Sequence, residues 1–145
     1  MGLARVEHAG LTDDGALGLI VSADLWFVWD LERAQIVHTA RDAPSLAQRV
    51  VRGHVRARVH GLDHRFLLFG PDHDYGLREH PQLKWRLTAL GARLRFVSPT
   101  GHAQALTLDD QTAGWSYASF AARAPIAACL RPGALHVFMM FDEAR

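Results

Sequence analysis

The chain has 145 residues, of which 49% are hydrophobic and 21% are charged, and its formal net charge is +1. This composition is typical of a globular protein with one hydrophobic core, and it argues against intrinsic disorder as the main state. We therefore predict a single domain over residues 1–145. The near-neutral total charge lacks the basic footprint of proteins that bind nucleic acid or anionic membranes, so neither is predicted as a partner.

Few features of the sequence bear on the compartment. The one cysteine, Cys129, lies in an apolar run and is predicted to be a small buried hydrophobe. A single cysteine cannot form an intramolecular disulfide, which fits a reducing compartment. The N-terminal segment MGLARVEHAG lacks the pattern of a signal peptide, and no apolar run approaches the roughly twenty residues of a membrane span. These features predict a cytoplasmic protein with no membrane partner.

The first forty residues predict four strands, at 3–9, 16–21, 25–29 and 35–39. An Asp-Gly pair at Asp14 and Gly15 marks a hairpin turn between the first two strands. The third strand reads LWFVW without any polar residue. An unbroken apolar run of this length is typical of a strand buried on both faces.

The middle of the chain predicts two short helices separated by a hairpin. A helix over 42–53 would be capped by Asp42 or Ser45 and ended by Gly53. Valine and alanine then alternate with arginine from Val55 to Val59, as in a half-exposed strand. A turn at 61–64, a returning strand at 65–69 and a loop at 71–76 follow.

The second of these helices is predicted over 81–90. Pro81 would stand near its start, Leu83, Leu87 and Leu90 would share one face, and Gly91 would end it. This helix would leave Trp85 exposed beside two basic residues.

The last third of the chain predicts strands again, at 94–97, 103–108, 115–120, 125–130 and 135–141. The final run reads LHVFMMF and has two apolar faces. As an open edge strand it would be an aggregation hazard. We therefore expect it to be central in a sheet or covered by another chain, which points to a protein partner or to self-association.

Three windows of the chain share one order of features: 12–30, 62–80 and 98–116. Each begins with a tight turn, continues through an apolar strand, crosses polar residues and ends in another strand. Gly15 precedes Trp29 by the same spacing that separates Gly101 from Trp115. Such self-similarity is the signature of repeat architectures.

These windows resemble the blades of WD-repeat β-propellers. The matching elements are the dipeptide Trp29-Asp30 with Asp24 upstream, the pair Gly53-His54, and the turn Ser98-Pro99-Thr100-Gly101. The resemblance implies antiparallel sheets that hide their faces by stacking, and a role in binding proteins. A blade takes about 40–45 residues, so the chain would hold about three or four of them.

Together these patterns predict a mainly β fold of repeated antiparallel strand units, propeller-like or an open sandwich, with one or two short helices. The propeller-like form would be a four-bladed ring or a half-ring completed by a second copy. The alternative is an α+β single domain whose sheet is covered by helices near 45–53 and 81–90.

Histidine supplies one candidate site. Of nine histidines, His60, His64, His73 and His80 fall within residues 60–80, together with three aspartates. Imidazole and carboxylate groups bind divalent transition metals where three or four converge. The spacing matches no metal-binding motif, so the metal site of His60, His64 and His73 is kept only as the alternative, and no cofactor is predicted.

Arginine supplies another candidate site. Arg56 and Arg58 share one strand face, and Arg49, Arg52 and Arg65 lie nearby in the sequence. Arginine is enriched at protein interfaces. The patch therefore predicts contact with the acidic surface of a partner protein.

No nucleophile elbow, phosphate loop or dinucleotide fingerprint is present, and no catalytic residue is predicted. The sequence thus favours a non-enzymatic protein–protein interaction module or scaffold of WD-repeat-like type, one form of which would be a bacterial immunity-type inhibitor. The alternative is a small metal-dependent hydrolase that uses the histidine- and aspartate-rich segment 60–80.

Overall fold

The fold is mainly β, as the sequence predicts. The computed structural model describes residues 7–22, 25–41, 45–90, 93–107, 116–132 and 134–140. Strand accounts for 59% of the described residues and helix for 3%. The elements in chain order are β1 (His8–Leu11), β2 (Leu17–Ser22), β3 (Leu25–Asp30), β4 (Gln35–Arg41), α1 (Leu46–Arg49), β5 (His54–Val59), β6 (Leu62–Phe69), β7 (Arg86–Leu90), β8 (Arg93–Val97), β9 (Ala103–Thr107), β10 (Tyr117–Phe120), β11 (Ile126–Arg131) and β12 (Ala134–Met139).

The strands form three antiparallel sheets. Six strands in the order β4-β3-β2-β1-β6-β5 make a curled sheet, which we call the half-barrel. The strands β10-β11-β12 make the middle sheet, and β7-β8-β9 make the outer sheet. Since β1 pairs with β6, the hairpin β5–β6 forms the margin of the half-barrel opposite β4.

The sheets stack because the middle sheet is apolar on both faces. On β11, Ala128 and Leu130 pack against the half-barrel, whereas Ala127 and Cys129 pack against the outer sheet. The alternation of side chains along a strand places each pair on its own face. Stacking therefore buries β11 from both sides, and the predicted burial of Cys129 is confirmed. Burial raises the pKa of this thiol to about 11.

The strand with the sequence LWFVW is covered on both faces, but unequally. Trp26 and Val28 are buried inside the half-barrel. Phe27 and Trp29 are half-buried between the half-barrel and the middle sheet. The second face is only half-buried because β3 lies next to β4, the edge strand of the half-barrel. Within the described residues the buried indole Nε1 of Trp29 has no hydrogen-bond partner.

The predicted helix over 81–90 is wrong. Residues 81–83 form one turn, Lys84 reverses the chain with a φ of 62°, and β7 follows. Leu87 and Ala89 then face the outer sheet's core, so the leucine spacing reflects strand alternation over five residues. Trp85 is half-buried against that core and is not exposed as predicted.

Helix α1 confirms one of the two short helices but is only four residues long. Ser45 stands at its N-cap without a side-chain hydrogen bond, and the chain is already extended at Val50. Asp42, the other predicted cap, lies outside the described residues. Although Leu46 packs against the half-barrel core, four helical residues are too few to cover a sheet, and the α+β alternative is wrong for the described part of the chain. No helix in the described ranges has the length and apolarity to span a bilayer.

The final apolar run forms β12, an edge strand of the middle sheet, so of its two predicted arrangements the central one is wrong. Val137 and Met139 are exposed on it, at 39% and 64%. Cover by another chain stays a prediction.

The resemblance to WD-repeat blades also stays a prediction. The first window forms the hairpin β2–β3, and the second forms β6 followed by a loop. Trp115 and Asp24, two of the residues on which the resemblance rests, lie outside the described part of the chain.

Candidate functional site

The candidate site is built on the hairpin β5–β6 at the free margin of the half-barrel. Two tight turns flank β5, one at Arg52-Gly53 and one at His60-Gly61, and all four residues have positive φ. Val51 and His54 exchange both backbone hydrogen bonds across the first turn, at 2.8 and 3.0 Å. Arg52, in this turn, is one of the residues that line the groove beside β5.

A groove of about 810 Å³ lies along this hairpin. Five of its six lining residues are basic: Arg49, Arg52, His54, Arg56 and Arg65, with Val51 as the sixth. Four of the five arginines that the sequence grouped therefore meet in one place. We call this the arginine groove.

Arg56 and Arg65 are direct cross-strand partners in the register of β5 and β6. Like charges that stand opposite each other in a sheet are destabilising. Both side chains are exposed, so water screens much of this repulsion in the free protein. An arrangement that costs stability and still concentrates positive charge is typical of a binding surface.

The charge of the groove is not neutralised from within the described chain. None of the four groove arginines has a carboxylate of a described residue within 4.0 Å. Arg58, the fifth arginine of the predicted patch, does not line the groove and lies 3.9 Å from Asp63. The groove therefore presents guanidinium groups that an acidic ligand could pair with.

One of these arginines is held in place. The guanidinium of Arg49 lies 4.9 Å above the ring of Trp26, within cation–π distance. Its Nη2 donates a 2.8 Å hydrogen bond to the carbonyl oxygen of Arg56. Because both contacts fix the same side chain, less conformational entropy is lost when it binds an anion.

A stack of aromatic rings borders the groove. Tyr75 packs on Gly53, where an added Cβ would come within 2.7 Å of the ring. His73 lies next to Tyr75, with ring centroids 6.4 Å apart, and His8 lies 5.3 Å from His73. Burial, and then the charge of His73, lower the pKa of His8, which accepts a hydrogen bond from the Asp72 N–H. These contacts hold the loop 71–76 beside the groove.

The three histidines of the alternative metal site lie on separate features. His60 is in the turn before β6, His64 is on β6 opposite Ala57, and His73 is in the ring stack. His64 lines a second, smaller pocket with Asp14, whose pKa is lowered by the Ala16 N–H that its carboxylate accepts. The described ranges contain no group of three His, Cys, Asp or Glu that could hold a metal ion.

Sequence reasoning found the arginines but missed what arranges them. The ring stack joins His8 on β1 to residues more than sixty positions away, and no local pattern signals such a contact. The signal for the tight turn at Arg52-Gly53 is the glycine, which in the sequence fits the end of a helix equally well. Comparison with protein-family models, with curated proteins and with solved structures found no match for this chain.

Proposed function

We propose that the protein is a non-enzymatic interaction module that binds an acidic region of a partner protein in the arginine groove. The observation that carries this proposal is the convergence of four arginines and one histidine without a carboxylate from the described residues. Bidentate pairing with carboxylates is the interaction that guanidinium geometry favours most.

Two further features support a binding role. The groove lies on the paired strands β5 and β6, and one of its arginines is oriented before any ligand arrives. An inhibitor of the immunity type would use such a surface to cover an acidic site on its target. The buried free thiol of Cys129 supports the cytoplasm as the compartment for this binding.

The proposal is tested with a fluorescein-labelled peptide of about ten glutamates, titrated with the protein at low and at physiological ionic strength. We expect saturable binding that weakens as salt is added, because the contacts are exposed ion pairs. Replacing two groove arginines, in the variant Arg56→Gln with Arg65→Gln, should weaken binding about five- to tenfold, as expected for the loss of two such pairs.

A charge-matched control is available on the outer sheet. Arg93 and Arg95 are exposed on β8, and the variant Arg93→Gln with Arg95→Gln removes the same charge elsewhere. This control should bind the peptide as the unchanged protein does. Equal losses in the two double variants would show that net charge, not the groove, holds the peptide.

A further inference from the structure

The free edge of β5 carries backbone groups that point away from β6. The carbonyl of Gly53 accepts the Leu68 N–H at 2.9 Å, which places residue 53 on the side that bonds to β6. In an antiparallel pair this orientation alternates along the strand. The N–H and C=O groups of His54, Arg56 and Arg58 therefore face the open edge.

Part of this edge is already occupied. Both backbone groups of His54 are bonded to Val51, and the carbonyl of Arg56 accepts from Arg49. Among the described residues, nothing is bonded to the N–H of Arg56 or to the N–H and C=O of Arg58. These three groups form a short open stretch directly beside the arginine groove.

The side chains beside this stretch define what could pair with it. Arg56 and Arg58 project on the outer face of the sheet, whereas Val55, Ala57 and Val59 are buried on the inner face. A strand laid along the edge would place alternate side chains next to these arginines and the others toward the apolar face. Complementarity therefore requires acidic residues alternating with apolar ones.

A second copy of the chain is a poor occupant of this edge. Two β5 edges brought together would set the arginines of one copy beside those of the other, and like charges at neighbouring strand positions repel. The side chains of an acidic strand would instead be attracted to the arginines at these positions.

We propose that the edge of β5 at Arg56–Arg58 accepts an extended segment of a partner protein, with alternating acidic and apolar residues, as an added strand. Strand addition of this kind gains affinity from backbone hydrogen bonds and specificity from alternate side chains. This inference rests on the proposed function and states the form in which the acidic partner binds.

The test compares two peptides of eight residues that carry the same four glutamates, one alternating with valine and one alternating with proline. Proline has no N–H and is poorly tolerated in a paired strand. We expect the valine peptide to bind about tenfold more tightly, as one or two added backbone hydrogen bonds would give. It should also slow amide hydrogen exchange at Arg56 and Arg58, with the amides of the edge strand β12 as the internal control. The variant Arg58→Gln, at an exposed position, should weaken its binding.

Each other outcome would overturn the inference. Equal binding of the two peptides without protection of Arg56 and Arg58 would refute strand addition while leaving the acidic partner in place. Protection confined to β12 would move the added strand to a different edge. Failure of both peptides and of the glutamate peptide would refute the proposed function as well. Tighter binding of a single-stranded oligonucleotide of equal charge would assign the groove to nucleic acid.

Discussion

His80 caps the single turn at residues 81–83 and joins it to the middle sheet, and its replacement tests that role. Its ring is 1% exposed, and Nδ1 accepts the N–H groups of Gln82 and Leu83, each at 3.1 Å. Since Nδ1 accepts, Nε2 carries the proton, and it donates to the carbonyl of Ala124 at 2.8 Å. The ring also meets Phe120 edge-on, with centroids 5.6 Å apart. One side chain thus joins the turn to the margin of the middle sheet.

The variant His80→Ala should lower the free energy of unfolding by about 3–4 kcal/mol. Loss of a capping acceptor costs about 1 kcal/mol, and loss of the bond to Ala124 costs about 1 kcal/mol. Loss of the buried ring and its contact with Phe120 adds about 1–2 kcal/mol. For a chain of this size the midpoint of thermal unfolding should fall by roughly 6–16 °C.

Two conservative variants separate these contributions. In His80→Asn the side-chain oxygen can stand where Nδ1 stands and keep the cap, whereas in His80→Gln the amide can reach Ala124 and keep that bond. Each should recover about 1 kcal/mol of the loss in urea unfolding at constant m-value. An alanine variant within about 0.5 kcal/mol of the unchanged protein would refute the assigned role, since that is the effect of an ordinary surface substitution.

Three further predictions concern a thiol, a turn carboxylate and two glycines. Burial raises the pKa of Cys129 to about 11, so at about pH 8 this thiol should react with a disulfide reagent only when the protein unfolds. Fast reaction of the native protein would contradict the burial of Cys129. The pKa of Asp14 is lowered by a backbone hydrogen bond, so its stabilisation is present above the ordinary value of 3.8 and is lost as pH falls through the folded pKa. Asp14→Asn should remove this part of the acid dependence of urea unfolding, and an unchanged dependence would refute it. Gly53→Ala should destabilise the protein more than Gly61→Ala does. Both glycines have positive φ, but an added Cβ meets Tyr75 only at Gly53. Equal decreases in the midpoint of thermal unfolding would count against the packing of Tyr75 on Gly53.

The sequence was sufficient for features that depend on neighbours along the chain. The alternation from Val55 to Val59 predicted a strand with arginines on one face, and the structure confirms it. The Asp-Gly pair at Asp14 and Gly15 predicted the turn between β1 and β2. Both signals are local, because side-chain period and turn chemistry act within a few residues.

The sequence was insufficient where contacts between distant segments determine the local structure. Leu83, Leu87 and Leu90 fit a helical face as well as Leu87 and Ala89 fit a strand, and only pairing with β8 selects the strand. Similarly, β11 is shielded by two sheets from separate parts of the chain, the half-barrel from residues 8–69 and the outer sheet from residues 86–107. No window of residues contains that information, since tertiary packing overrides local preference.

The total charge of the chain conceals a strongly basic surface. A net charge of +1 argued against nucleic acid at the level of composition, but five basic residues converge in one groove. Total charge therefore does not determine which anion binds in the groove. The exposed aromatic residues around the groove bear on that choice. Binding of single-stranded nucleic acid depends on exposed rings that stack on bases. Among the described residues around the groove, Trp26 is buried beneath Arg49, whereas Tyr75 packs on Gly53 and is 46% exposed. Tyr75 offers a single stacking position for a base, whereas four guanidinium groups can each pair with a carboxylate, which is why we propose an acidic protein segment as the ligand.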